Sequence, residues 1–367
     1  MTSRSLSAAE RRDWLRLSLS ENVGPVTFRQ LIGRYETAAN AIAALPELST
    51  RGGLRRPLRV FGADAAEAIL EQATHYGAQY VVAGEPGYPE LLRHTDAAPP
   101  FLCVKGDLAI AGRSTVAIVG SRNASAVGRK FTRQLASELG QAGHVIASGL
   151  ARGIDTAAHE AAVDSGTAAV LAGGIDVIYP PENGGLHAAI AERGLLISEM
   201  ILGTVPKAEY FPRRNRIISG MSRAIVVVEA ALRSGSLITA RLAAEQGRDV
   251  FAVPGSPLDP RCEGTNKLIR NGATLITSAA DVLEELNSSH HPARAMFLEP
   301  EAPRIERIES AGTERGAVLA LLSPSPVALD DLVRESGLRP ATVTGTLLEL
   351  ELAGRIVRHP QGAVSLA

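Results

Sequence analysis

Residues 115–155 read TVAIVGSRNASAVGRKFTRQLASELGQAGHVIASGLARGID. An apolar run, TVAIVG, ends in glycine. A helical stretch, RKFTRQLASELGQAG, follows it. A second apolar run, HVIASG, again ends in glycine. Both runs are apolar at nearly every position instead of alternating, which marks strands buried on both faces of a parallel sheet. The rhythm continues on either side, with YVVAG at 80, TAAVLAG at 167, LLISE at 195, AIVVVEA at 224, DVFAVPG at 249 and TLIT at 274. Helical stretches such as SLITARLAAEQG separate them. Right-handed crossovers then predict an α/β protein with a doubly wound, mostly parallel Rossmann-like sheet over residues 76–287. Such sheets bind ligands in the crevice beyond the carboxyl ends of their strands.

The flanks read differently. Residues 1–75 predict a small all-α N-terminal domain, with Leu15, Leu19, Phe28, Leu31, Ile32 and Tyr35 near helical spacing and a break at Asn22-Val23-Gly24-Pro25. That break resembles the turn of a helix-hairpin-helix or SAM-like module, although Pro25 has no N–H to offer a phosphate. Residues 288–312 are polar and proline-bearing and read as a linker. Their adjacent His290 and His291 have no supporting ligand cluster. Residues 313–367 predict three helices, then RIVRH and AVSLA around Pro360-Gln361-Gly362, which is a C-terminal winged helix. Its third helix, from Pro340 to Gly354, holds no lysine or arginine and carries Glu349 and Glu351. Protein docking or self-regulation is therefore expected of this domain, not groove reading.

Composition sets the limits. The chain has 367 residues, 45% apolar and 21% charged, which excludes a disordered, collagenous or coiled-coil chain. No apolar run reaches a membrane span, and the start lacks a secretory core, so a cytoplasmic protein with no membrane partner is expected. Two cysteines, Cys103 and Cys262, make neither a disulfide framework nor a four-ligand zinc site. No cofactor and no metal is expected. The net charge of −1 means that any contact with nucleic acid must use a local patch.

Four stretches that follow strands are the candidates for that patch. After TVAIVG come Gly120, Ser121 and Arg122, where backbone N–H groups at a helix start and a guanidinium could hold a phosphate. A tight turn with a surface arginine fits the same residues. The spacing is neither G-x-G-x-x-G nor a P-loop. After HVIASG, Gly149 and Arg152 repeat the theme, with Asp155 and His159 behind them as a cap or internal partners. The strongest cluster runs from 205 to 223, where Lys207, Arg213, Arg214, Arg216 and Arg223 face one acid, Glu209. Phe211 and Asn215 sit inside it. Cations tracking a backbone with interleaved rings are what an unpaired strand requires, and a solvated charged turn anchored by Phe211 fits the same residues. Ser236, in Ser234-Gly235-Ser236, is a further phosphate candidate, or part of an ordinary helix cap.

An enzymatic reading competes with this one. Glu199 and Glu229 each end a strand, which allows a nucleotide-processing Rossmann-like enzyme of the nucleoside-phosphate hydrolase type. The Pro254-Gly255-Ser256-Pro257 loop lacks the P-G-G-x-G-T pattern expected there. Both acids could equally pair with the Arg213–Arg216 group. A transcription regulator is disfavoured by the acidic third helix of the winged domain.

Taken together, YPELL at 88, VAIVGSRNAS at 116, SGLARGIDTAAHEAA at 148, YPPEN at 179, FPRRNRIISGMS at 211, SGSLITARLAAEQGR at 234 and GTNKLIRNGA at 264 resemble the DprA/Smf family of bacterial DNA-processing proteins. The resemblance implies a non-enzymatic protein that binds incoming single-stranded DNA in natural transformation, protects it and loads the recombinase RecA. It also implies a homodimer. The family's DNA site maps onto Ser121, Arg122, Lys207, Phe211 and the Arg214-Asn215-Arg216 run.

Overall fold

The computed structural model describes residues 5–288, 312–359 and 362–367. Nine strands form one sheet: β1 (Gln79–Val82), β2 (Phe101–Gly106), β3 (Thr115–Val119), β4 (Val145–Ser148), β5 (Thr167–Leu171), β6 (Leu195–Ser198), β7 (Ala224–Val227), β8 (Asp249–Ala252) and β9 (Thr274–Leu275). Their order is β1-β2-β6-β5-β4-β3-β7-β8-β9. From β6 to β9 every neighbouring pair is parallel, while β1 and β2 extend the sheet antiparallel beyond β6. Eight of these strands coincide with apolar runs legible in the sequence. The ninth, β2, lies behind Pro99 and Pro100, whose turn-forming character hides it.

Burial explains why the strands look continuously apolar. In β3, Val116 and Ile118 pack into one core with Phe251, Leu135 and Ile276. Ala117 and Val119 point to the opposite core with Ile217, Ile218 and Leu102. In β7, Val226 joins the first core and Val227 the second. Alternate residues leave the sheet on opposite faces, and each face is covered.

The chain divides into two compact units. One holds the sheet and its helices, from Ile69 onward. The other joins Leu6–Ala68 to the described residues from 312 to the C-terminus. Helix Ala63–Tyr76 carries the chain from one unit into the other and crosses the expected boundary at 75.

The second unit starts with helices Ala8–Leu19, Pro25–Tyr35 and Ala38–Arg51. Ser7 caps the first in a reciprocal arrangement with Glu10, Pro25 takes the first position of the second, and Thr37 caps the third. It continues with helices Gly312–Ala320, Leu329–Ser336 and Pro340–Leu352, then an antiparallel pair, β10 (Ile356–Arg358) and β11 (Val364–Leu366). This is a winged helix. Residues 289–311, with the expected linker and His290-His291, and the turn residues Pro360 and Gln361 lie outside the described residues. Among the described residues, no helix is long and apolar enough to cross a membrane.

Candidate nucleic-acid interface

Strand order places the site. From β3 the chain steps outward through β4, β5 and β6, then returns to lay β7 on the other side of β3. The loops that follow β3 and β7 therefore diverge, and a crevice opens between them. An open cavity of about 550 Å³ occupies it. Gly120, Ser121, Arg122 and Asn123 line it from the β3 loop. Phe211, Arg214 and Asn215 line it from helix Tyr210–Met221, and Arg233, Ser234 and Ser236 from the approach to helix Gly235–Glu245. Three guanidinium groups thus face one carboxylate, Asp155.

Small residues let these loops approach each other. A Cβ on Gly120 would stand 2.6 Å from Ile154 Cγ1. One on Gly153, whose φ is +79°, would stand 2.3 Å from the Ser121 carbonyl oxygen. The loops after β3 and β4 are therefore packed backbone to backbone. Behind the first loop, Ser125 caps helix Ala126–Gln141 by accepting from the Gly128 N–H at 2.8 Å. Ser125 also donates its own N–H and O–H to the two oxygens of Glu229, at 2.9 and 2.5 Å. Glu229, just beyond β7, is 6% exposed and lies where a Cβ on Gly128 would come within 2.5 Å of it. This carboxylate ties the β7 loop to the β3 loop across the switch point.

Phe211 stands at the mouth. The Arg122 guanidinium carbon is 5.0 Å from its ring centroid, and the half-exposed Tyr179 ring is tilted against it at 5.8 Å. An adjoining void of about 20 Å³ brings Gly149 and Tyr179 to the other side of Phe211 and Arg214.

The floor is a buried polar cluster. Arg214 is 6% exposed and donates through Nη1 to the Val170 carbonyl at 3.2 Å, while its Nε has no partner. It lies so close to Gly149 that a Cβ there would overlap Nη1 at 1.3 Å. Burial pushes its pKa down to about 10, with Asp155 acting in the opposite sense. The guanidinium therefore stays charged at neutral pH. Asp155 accepts from the Gly149 and Ala151 N–H groups at 3.2 and 3.3 Å, and burial pushes its carboxyl up against the pull of Arg214 and those amides. Burial holds His159 down to about 3, so its ring is neutral. Thr167 donates its hydroxyl proton to the Ile146 carbonyl, which leaves its oxygen to accept from His159 Nδ1 at 2.7 Å. Asp155 and His159 are internal partners, as their sequence positions suggest.

The expected residues divide. Gly120, Ser121, Arg122, Phe211, Arg214, Asn215 and Ser236 line the one cavity, and Gly149 lines the void beside it. Arg152 is exposed, pairs with Glu182 and does not line the cavity. Lys207 is exposed with Nζ 5.9 Å from the Tyr210 ring centroid, and Arg213 is exposed outside the lining. Arg216 turns inward, donating to Glu199 and to the Ala97 carbonyl at 2.5 Å each. So Glu199 pairs with the arginine run, whereas Glu229 pairs with Ser125 instead. Neither acid lines the cavity. Among the described residues, no group of three or more histidines, cysteines and carboxylates could hold a metal. Arg233 and Ile238 also line the cavity and Tyr179 the void beside it, positions that the sequence reading does not point to. A cation immediately before a helix-capping serine at a strand end was the available signal for Arg233.

Comparison with known proteins supplies the family. Residues 79–287 match the model described as DNA recombination-mediator protein A. Residues 8–71 match a DprA-like N-terminal HHH domain and residues 300–362 a DprA winged helix domain. Protein Smf of Synechocystis is 34% identical, covering 97% of this chain and 98% of that protein. The X-ray structure of DNA processing protein A from Streptococcus pneumoniae aligns with a TM-score of 0.64 and 36% identity, over 77% of this chain and 99% of that one. A DNA processing protein A structure from Helicobacter pylori, whose title concerns its single-stranded DNA binding mode, aligns with a TM-score of 0.54 and 29% identity, over 60% and 100% of the two chains. From the sheet with its switch-point cavity to both flanking modules, this chain belongs to the DNA recombination-mediator protein A family.

Proposed function

We propose that the crevice between β3 and β7 binds single-stranded DNA without regard to sequence, and that the protein acts as a recombination mediator. The observation that carries this reading is the pairing of Arg122 with the face of Phe211 at the mouth of a cavity lined by two further arginines. A ring offers every base the same stacking surface, and guanidinium groups and helix-start amides hold phosphates whatever the base. Residues 76–287 form the DNA-binding domain on this reading. Gly120, Ser121, Arg122, Phe211, Arg214, Asn215 and Ser236 form the inner site. Gly149 shapes its floor, while Lys207, Arg213 and Arg152 continue the charge outward along the strand's path. Arg216 contributes by fixing helix Tyr210–Met221 through Glu199. The bound strand is handed to RecA, the working form is a homodimer, and the protein does this in the cytoplasm without catalysing a reaction.

The test is a titration of labelled oligo-dT, mixed-sequence single strands and duplex of equal length, followed by addition of RecA. Equal affinity for the two single strands, weaker duplex binding and faster RecA filament growth on the bound strand are expected. Duplex preference, or an affinity independent of salt, would overturn the reading.

A further inference from the structure

We infer that the helix of the winged domain placed to enter a duplex groove, Pro340–Leu352, is an intrachain interaction surface whose partner is the N-terminal helical bundle. The two flanking domains form one closed clasp. Helix Pro340–Leu352 presents apolar side chains on two faces and serves two cores at once. Val343, Leu347 and Leu350 enter the core of the winged helix with Val318, Leu332 and Val364. Leu348 and Leu352 enter a second core with Leu17, Phe28, Leu31 and Leu45 of the N-terminal helices. A helix that read DNA would turn that second face, polar and basic, toward solvent.

Contact is close and carries hydrogen bonds. Gly52, at the end of helix Ala38–Arg51, lies so near that a Cβ there would stand 1.9 Å from the Glu349 carbonyl oxygen and 2.8 Å from Ala353 Cβ. Its φ of −65° is open to any residue, so space and not conformation requires glycine. Glu349 is 2% exposed, with Arg51 Nη1 at 4.0 Å. At the hairpin turn, Asn22 donates to the Leu352 carbonyl at 3.0 Å. Arg315 donates to the Arg51 carbonyl. The hairpin of one module and the third helix of the other, each the element by which its kind of module meets nucleic acid, thus occupy one another.

The experiment uses the full chain and amide hydrogen exchange. Gly52→Ala perturbs the clasp from the bundle side, and Leu348→Gln with Leu352→Gln from the winged-helix side, leaving Val343, Leu347 and Leu350 in place. Either change is expected to speed exchange at least tenfold in both Ala38–Arg51 and Pro340–Leu352, with oligo-dT affinity changed less than twofold. Acceleration confined to the mutated side would show two independent bodies and overturn the inference. Excess duplex added to the unaltered chain at physiological salt is expected to leave exchange of Pro340–Leu352 unchanged. New protection there would show a groove-reading helix and overturn it as well.

Discussion

Replacing Arg122 by alanine tests the site at its mouth. In the free protein the guanidinium rests 5.0 Å from the Phe211 centroid, a contact worth about 0.5–1 kcal/mol at an exposed position. A charged hydrogen bond to a phosphate contributes about 1.5–3 kcal/mol. Moving the guanidinium from ring to phosphate therefore nets about 1–2 kcal/mol, and the alanine variant should bind oligo-dT roughly 5- to 30-fold more weakly. Arg122 is exposed and outside both cores of the sheet, so folding stability should stay within about 0.5 kcal/mol of the parent. Fluorescence anisotropy over a series of salt concentrations separates the terms. Loss of one phosphate contact lowers the slope of log affinity against log salt by about 0.7. Arg122→Lys should restore the slope but only part of the affinity, because an ammonium lacks the bidentate fork. An alanine variant with parental affinity and parental slope would refute the role assigned to this arginine.

Phe211→Ala should weaken binding by about 1–3 kcal/mol for the base it stacks, with the salt slope unchanged, in the same anisotropy series. Gly128→Ala should lower the melting temperature, although alanine is ordinarily the better helix residue by about 1 kcal/mol, because its Cβ would come within 2.5 Å of Glu229. The same change should loosen Ser125 and weaken DNA binding, whereas a raised melting temperature would contradict the packing. Neutral buried His159 predicts a pH effect. Its folded pKa, about 3, is below the ordinary value of 6.5, so its contribution is full above 6.5 and is lost as pH falls through the window toward 3. Urea denaturation at pH 7 and pH 5 should show a decline of up to about 2 kcal/mol that His159→Gln reduces, with Asp155 and Arg214 common to both proteins.

What the sequence revealed was set by local pattern. Strands buried on both faces announce themselves as apolar runs, so β3, β4, β5 and β7 were legible residue by residue. So was the crevice, because the loops that line it follow those runs. Charge density was less informative, since it does not say which way a side chain points. The run from Arg213 to Arg216 reads as one basic stripe. On a helix, however, its members diverge by about 100° per residue. Arg213 therefore faces solvent, Arg214 lies buried in the floor and Arg216 reaches back to Glu199. Glu229 could not be matched with Ser125 from sequence, because 104 residues separate them and only the return of β7 beside β3 brings them together. The partner of the winged-helix face that carries Leu348 and Leu352 was hidden for the same reason. Its low charge excluded one role, but Leu17 and Phe28 lie more than 300 positions away.

The sharing of Leu348 and Leu352 with Leu17, Phe28 and Leu45 bears on how the chain is made. The N-terminal helices leave the ribosome first, and the side chains that complete their interior are translated roughly 300 residues later. At about 5–20 residues per second, that is a delay of roughly 15–60 s. During that interval the nascent bundle presents an oily surface to its surroundings. Chaperones that shelter such surfaces during synthesis should therefore raise the soluble yield of this protein.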